Sequence, residues 1–292
     1  MPVRYAFISV NREQWPIPIQ CRTLSVSVSG FWSWLKRPLS QRKVQDAIIA
    51  EQILASHQAT DGIYGELRIR ADLKAVGINV GRRRVARIMR ELGIEGVSGR
   101  TRRRVQTTIS DPNHPKASNI LNRNFTADRP NQNWVTDITA INTDEGTLYL
   151  AAIEDLFSRK VVAWAIDTHM ETSLVTRALK SAIAIRNVAP GLLHHSDRGC
   201  QYTSNEYQQL LADYAMTSSM SRKGNCHDHA CAESFWARLK VECLYRTTYP
   251  THEAARAAVF RYIEVFYNRV RRHSALGYLS PDAFEAQYAD AA

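Results

Sequence analysis

The sequence predicts an α/β chain, with an all-helical N-terminal region followed by a mixed sheet that carries packed helices. Three observations lead there. Apolar spacing follows the helical period ahead of residues 99–130 and turns to strand-like alternation beyond them. The stretch 99–130 itself holds Pro112, Pro115 and Pro130 among several Asn and Ser, the composition of a linker. Charge divides at the same place: residues 1–120 contain 20 Lys and Arg against 9 Asp and Glu, whereas residues 121–292 contain 18 against 19. The whole net charge of +10 therefore lies in the first part. That suits a polyanion-binding region ahead of a segment with another job, the alternative being a solvated basic surface with no partner.

The helical region begins with "PIPIQCRTLSVSVSGFWSWLKR", read as two short helices, Ile17 to Leu24 and Val28 to Leu35, with Ser25 to Ser27 as the turn. Ile19, Leu24, Val26, Phe31 and Leu35 would knit the pair together, as a helix-turn-helix requires; simple packing explains the same pattern. After Pro38, "SQRKVQDAIIAEQILASHQ" sets Val44, Ile48, Ile49 and Ile53 on one helical face. "DGIYGELRIRADLKAVGINVGRRRVARIMRELGI" is a further helix pair, broken at Gly77 and Gly81 and closed by Gly93. Its second helix has an apolar stripe of Val85, Ile88, Met89 and Leu92. Arg82, Arg83, Arg84, Arg87 and Arg90 cover much of the remaining surface, and each phosphate contact from such residues adds to a salt-dependent binding term. Arg100 and Arg102 to Arg104 carry the basic run into the linker.

Beyond the linker, "NWVTDITAI" alternates as a strand carrying Asp137. "TLYLAAIED" and "KVVAWAID" flank the turn "LFSR" and read as an antiparallel pair. "ETSLVTRALKSAIAIRNV" is a helix ending before Pro190, and "GLLHHSD" is a short buried strand finishing at Asp197. "TSNEYQQLLADYA" is a helix opened by a Thr/Ser cap, and "HACAESFWARLKVECL" is a helix containing Glu233. Strand, strand, strand, helix, strand, helix, helix implies a mixed sheet with helices packed on it.

Cys21, Cys200, Cys226, Cys231 and Cys243 are scattered and never spaced as C-x-x-C, which argues against a disulfide scaffold and fits a reducing cytosol. Arg4, Arg12, Glu13, Pro16 and Pro18 interrupt any apolar run at the N-terminus, so no signal peptide is readable. No apolar stretch reaches the roughly 18–20 residues of a membrane span. The expected location is the cytoplasm, in contact with the nucleoid and not with a membrane.

Asp137 in a strand, Asp197 at a strand end and Glu233 on a helix form a trio drawn from different elements, with 35 residues between Asp197 and Glu233. Phosphodiester chemistry with metal ions needs few, hard oxygen ligands of this sort. Mg²⁺ takes one or two carboxylates and completes its shell with water and substrate oxygens. Two such ions about 4 Å apart hold both the attacking and the leaving oxygen. Taken singly, each acid is an ordinary surface residue or cap; the spacing and the flanks set them apart.

Those flanks carry a resemblance. "WVTDIT", "HSDRGCQYTS" and "AESFWARLK" resemble the DDE motif of insertion-sequence transposases and retroviral integrases, in particular the second-frame (OrfB) transposases of the IS-three family. "YAFI", "REQW", "IYGELRI", "RRVARIMRELGI", "DLFSRKVVAW" and "YNRVRRHSALGYLSPDAF" agree with that group, so the resemblance runs from about residue 4 to residue 285. It implies a ribonuclease-H-like catalytic core with Asp137, Asp197 and Glu233 as catalytic ligands of two Mg²⁺ or Mn²⁺ ions. It implies hydrolysis at a transposon end to free a 3′-OH, and attack by that 3′-OH on another phosphodiester. The implied partners are double-stranded DNA (element ends and target), further copies of the chain on that DNA, and an upstream-frame fusion partner. Seven residues after its Glu the family has Lys or Arg, here Lys240. About 700° of helix returns Lys240 to the face of Glu233, where it would grip the terminal phosphate; a solvated surface lysine is the alternative.

Other residues have quieter readings. Cys226, His227, His229 and Cys231 crowd "GNCHDHAC", but on one helix they spread around the axis and do not converge on zinc. Asp228 reads as an N-cap for the Glu233 helix, and His229 stands where the family has Asn. His194, His195 and Arg198 flank Asp197 and suit either DNA phosphate or a structural hydrogen bond. Asp155 is expected to support the hairpin, and Trp134, Trp164 and Trp236 to lie in the core. Arg269, Arg271, Arg272 and His273 form a basic patch expected on the DNA backbone.

The expected division is a helix-turn-helix DNA-binding region at 1–100, a basic linker at 101–125, a ribonuclease-H-like core at 126–245 and a helical basic tail at 246–292. The expected function is metal-dependent DNA cleavage and strand transfer without a covalent protein intermediate. A catalytically inactive DNA-binding remnant or regulator is the second reading. A general nuclease of the same fold is the third, and it has no use for the basic N-terminal half.

Overall fold

The computed structural model describes residues 1–38, 40–98, 115–222 and 230–291. Serines open two of the first helices: Ser27 accepts from Gly30 N at 3.0 Å and Ser40 from Lys43 N at 3.3 Å, each satisfying a backbone donor the helix cannot. The N-terminal unit comprises α1 (Pro2–Val10), α2 (Ile17–Thr23) and α3 (Val28–Lys36). The expected pair is present, but α1 was not foreseen, and it reorganises the core. Ile8, Cys21 and Phe31 form its centre with Tyr5 and Trp34 packed against them. Ile19 and Leu35, expected inside, are 54% and 36% exposed.

A second helical cluster follows, of α4 (Gln41–Ala59), α5 (Glu66–Ala75) and α6 (Arg82–Glu91). Gly77, at φ 83°, supplies the left-handed residue that ends α5. Ile49, Ile53, Ile69, Leu73, Val85, Ile88 and Met89 are its core. Val44, Ile48 and Leu92 were assigned to these apolar faces but are exposed, because α4 and α6 bury only the sides that meet each other and α5.

Asp144 and Glu145 turn the chain between β1 (Asn133–Thr143) and β2 (Gly146–Asp155), which pair antiparallel. β3 (Val161–Asp167) adds antiparallel to β2, with an irregularity at Ile153/Glu154. α7 (Thr172–Ile185) crosses over to β4 (Leu193–Ser196), which lies parallel to β1. Then come α8 (Cys200–Thr203), α9 (Asn205–Asp213) and β5 (Thr217–Met220), parallel to β4. The strand order is β3-β2-β1-β4-β5, the mixed sheet expected of a ribonuclease-H-like core. α8 and β5 are additions to the expected element order.

Strand alternation separates the two faces. Trp134, Ile138, Ala151 and Ile153 meet Leu174, Leu179, Tyr202 and Tyr207 of α7, α8 and α9. Val135, Ile141, Leu150 and Ala152 face the other way, onto α10 (Ala230–Leu239) and its Phe235, Trp236 and Leu239. α10 runs into a π-helical turn, Lys240–Leu244.

Residues 246–292 are no appended tail. α11 (His252–Phe260) and the π-helical turns Arg261–Tyr267 bury Ala255, Val259, Tyr262, Ile263 and Tyr267 in the same core as β1 and α10. α12 (Pro281–Ala291) clasps the turn after β2: the ring of Phe157 lies 5.1 Å from Phe284 and 4.9 Å from Tyr288. Glu285 accepts from Ser158 and Arg186, both at 2.7 Å. Among the described residues, no helix is long and apolar enough to cross a membrane.

Candidate active site

The sheet register assembles the site. Val135 stands opposite His195 where β4 runs parallel to β1. Two residues further along each chain come Asp137, within β1, and Asp197, the first residue past the end of β4. Asp137 shares its side of β1 with Val135 and Ile141, which pack in the core beneath α10. Alternation thus turns Asp137 toward the face covered by the helix that carries Glu233 in its first turn.

Local hydrogen bonds set the two carboxylates. Asp137 Oδ1 accepts from Ile138 N at 2.7 Å, and Asp197 Oδ1 accepts from Gly199 N at 2.9 Å. A Cβ at position 199 would come within 2.9 Å of Gln201 Oε1 and 3.1 Å of Asp197 Oδ1, so any larger residue there would press on the Asp197 and Gln201 side chains. On the opposite face of β1 the Tyr202 hydroxyl meets Thr136 Oγ1 at 3.2 Å. Its phenol is pushed far above the ordinary range by burial first, and then by Tyr207, Asp137 and Asp197.

The donor chemistry fits a hard divalent cation. The nearby imidazoles are already engaged: His195 meets Ser219 at 2.9 Å and Ser221 at 3.1 Å, bracing β4 against β5, and His194 meets Tyr207 at 3.2 Å. Burial holds His194 down at about 4, so it is a neutral structural residue. Among the described residues, no three His, Cys, Asp or Glu side chains stand close enough to hold an ion in advance. Arg198 Nε is buried without a hydrogen-bond partner among the described residues. Lys240 is partly buried and begins the π-helical turn, one residue past α10.

Asp155 holds the hairpin as expected: it accepts from Asn131 N at 2.7 Å and Phe157 N at 2.9 Å. Trp134 and Trp236 are core residues, and Trp164 donates to Glu264 at 2.8 Å. Cys226, His227, Asp228 and His229 lie outside the described residues, as do Arg100, Arg102 to Arg104 and the side chain of Cys231.

The expected DNA-contact arginines separate. Arg83 is exposed on α6. Arg82 pairs with Glu66 at 2.7 Å at the surface. Arg84 and Arg87 both reach Asp46 of α4 at 2.7 Å, and that carboxyl is held below its usual range by Arg87 and then Arg84. These two fasten α6 to α4. Arg271 and Arg272 are corrections. Arg271, 1% exposed, grips both oxygens of Glu242 at 2.5 and 2.6 Å, which leaves no face for a phosphate. Arg272 is bonded to Asp72 and, at 2.8 Å, to Tyr278 O. Arg271 and Arg272 therefore serve packing, while Arg269 of the same run is exposed. Glu242 and the buried Glu154 were missed; each is an acid within an apolar stretch, the one signal available.

Comparison with known proteins agrees with an integrase-type core preceded by a helical unit. The integrase core domain matches residues 127–226 and, in a second form, 214–281. The HTH-like domain matches residues 43–104. The "Insertion element IS600 uncharacterized 31 kDa protein" of Shigella sonnei is 41% identical over 268 residues, 92% of this chain and 98% of that protein. "Transposase InsF for insertion sequence IS3A" of Escherichia coli (strain K12) is 38% identical over 287 residues, 97% of this chain and 98% of that protein. One chain of the simian T-cell lymphotropic virus intasome in complex with PP2A regulatory subunit B56 gamma aligns at 16% identity and TM-score 0.47, over 80% of this chain and 74% of that one, too distant a likeness to bear on function.

Proposed function

Because this chain belongs to the InsF-type transposases of insertion sequences, we propose that Asp137, Asp197 and Glu233 are the metal-binding carboxylates with which it cuts and joins DNA. The observation that supports the reading is that β1, which carries Asp137, runs parallel to β4, whose end leads into Asp197, while α10 with Glu233 covers one face of the same sheet. Mg²⁺ or Mn²⁺, two ions when both are bound, would supply activation of the nucleophile and stabilisation of the leaving oxygen. The chain's own part is to hold hard ligands in place. Ile138 N and Gly199 N each donate to one oxygen of the two aspartates. Glu233 joins from the opposite element. Water and then a DNA 3′-OH act as nucleophiles, and no protein atom forms a covalent intermediate. Lys240 and Arg198 contact phosphate beside the carboxylates.

The helical residues 1–100, with the linker 101–125, are assigned to reading element ends, through Arg82 and Arg83 on α6; residues 126–245 are assigned to the chemistry. Residues 246–292 hold the two together. Joining two ends calls for a multimer on DNA, and the work is placed in the cytoplasm, at the nucleoid.

The test is Mg²⁺-dependent cleavage and joining of labelled element-end DNA by the parent and by Glu233→Gln. At least about a hundredfold loss of cleavage is expected, since small displacements of a reacting group already cost that much, with end binding unchanged. Equal activity in both proteins would remove Glu233 from the site. A parent that binds ends and never cuts would favour the inactive DNA-binding reading.

A further inference from the structure

The helix that bears Glu233 is tied at its far end to the helical unit that matches the HTH-like domain. Glu242 stands in the π-helical turn that continues α10, nine residues past Glu233. Its carboxylate is buried and fully engaged, with Tyr262 donating at 2.8 Å and Arg271 closing on both oxygens. Arg68 of α5 approaches the same carboxylate, NH1 to Oε1 at 3.8 Å, and donates through Nε to Arg272 O at 3.1 Å. Arg272 returns the contact by pairing with Asp72, one helical turn further along α5. Tyr64, 1% exposed and just ahead of α5, accepts from Arg272 N at 2.8 Å and donates to Val270 O at 3.0 Å. Ser56 of α4 donates to the other oxygen of Asp72 at 2.6 Å.

A continuous set of ion pairs and hydrogen bonds thus runs from α4 and α5, through the segment 270–272, to the end of α10. We propose that Arg68, Asp72 and Arg272 are positioning residues of the catalytic site: they relay the placement of the DNA-reading unit to Glu242, and through α10 to Glu233. This rests on the assignment of Glu233 as the third metal carboxylate. The physical warrant is rigidity. A helix transmits displacement along its axis, and nine residues span about 13 Å. A charge-paired anchor with every acceptor satisfied has one preferred position, whereas an apolar contact slides. Glu233 is carried by α10 alone, so the setting of α10 decides where that carboxylate stands relative to Asp137 and Asp197.

The test uses the full chain, labelled end DNA and the variants Arg272→Ala, Asp72→Asn and the exchange Asp72→Arg with Arg272→Asp. Three quantities are read: end-binding affinity in EDTA, single-turnover cleavage, and Mn²⁺ bound to the protein–DNA complex by electron paramagnetic resonance. The single variants are expected to keep end binding within about threefold, to weaken Mn²⁺ binding, and to cut about a hundredfold more slowly, the scale of a 1 Å misplacement. The exchange should recover at least about tenfold of that loss. Unchanged Mn²⁺ binding and cleavage in the single variants would overturn the proposal. So would cleavage that falls only in proportion to end binding, or an exchange that folds with the parent's melting temperature and recovers nothing. A Glu233→Gln protein that binds Mn²⁺ and cuts like the parent would instead defeat the site assignment, which separates the two failures.

Discussion

Glu154 should make the protein lose stability as the solution passes from mildly acid to neutral. It is 3% exposed, on β2 beside the bulge, and its Oε2 has no hydrogen-bond partner among the described residues. Burial raises its carboxyl to about 7, against the partial relief of Arg159, 3.9 Å away, and of Arg238 on α10, with Asp155 adding to the rise. The unfolded chain releases this proton near 4.5, the ordinary value, and the folded one near 7. Between those values only the folded state holds the proton. The stabilisation is therefore complete below about 4.5 and gone above about 7. At about 1.4 kcal/mol for each tenfold in proton affinity, the loss is on the order of 3 kcal/mol. Buried His194 and His273 work in the opposite sense: burial, joined for His273 by Arg271, lowers them to about 4 and about 2, so their contribution falls as pH falls below the ordinary value of 6.5. Both histidines remain in Glu154→Gln, so the difference between the two proteins isolates the carboxyl. Urea unfolding at about pH 5 and about pH 8 is the assay. Glu154→Gln should match the parent within about 1 kcal/mol at the lower pH and exceed it by on the order of 3 kcal/mol at the higher. The same pH slope in parent and variant would refute the reasoning.

Arg83→Gln should weaken binding to all DNA sequences evenly and lower the slope of log affinity against log salt by about 1, measured by fluorescence anisotropy over a salt series. Arg271→Met should leave that slope alone and cost about 3–5 kcal/mol in unfolding free energy, because it strands the buried carboxylate of Glu242; Arg271→Lys should not restore it, since one ammonium cannot span both oxygens.

The parts legible in the sequence are those whose cause is local. Alternation through "NWVTDITAI" marked β1 and placed Asp137 in it, and the Gly-rich breaks marked α5 and α6. Apolar spacing in "AESFWARL" gave α10, and the flanks around each acid carried the family resemblance that the relatives show. What stayed hidden is set by contacts distant in sequence. β5 is Thr-Ser-Ser-Met, with no strand pattern of its own; it exists because Ser219 and Ser221 meet His195 and its backbone pairs with β4. Arg271 and Arg272 read as surface charge until the acids opposite them, Glu242 and Asp72, are brought from 29 and 200 positions away. Ile19 and Leu35 looked like core because nothing local announces that α1 will fill that place.

The bond between Tyr64 and Val270 joins residues 206 positions apart. A ribosome adds about 5–20 residues each second, so Tyr64 emerges some 10–40 s before its partner is made. The cluster of Ile49, Ile53, Ile69, Leu73 and Val85 draws on neighbouring stretches of chain, and such helical units fold fast. During synthesis the helical unit therefore precedes the sheet it docks on, with the Tyr64 hydroxyl and one oxygen of Asp72 left to water. Translation that stops before Phe266 leaves the helical unit without the segment 270–272 that anchors α5 to the end of α10.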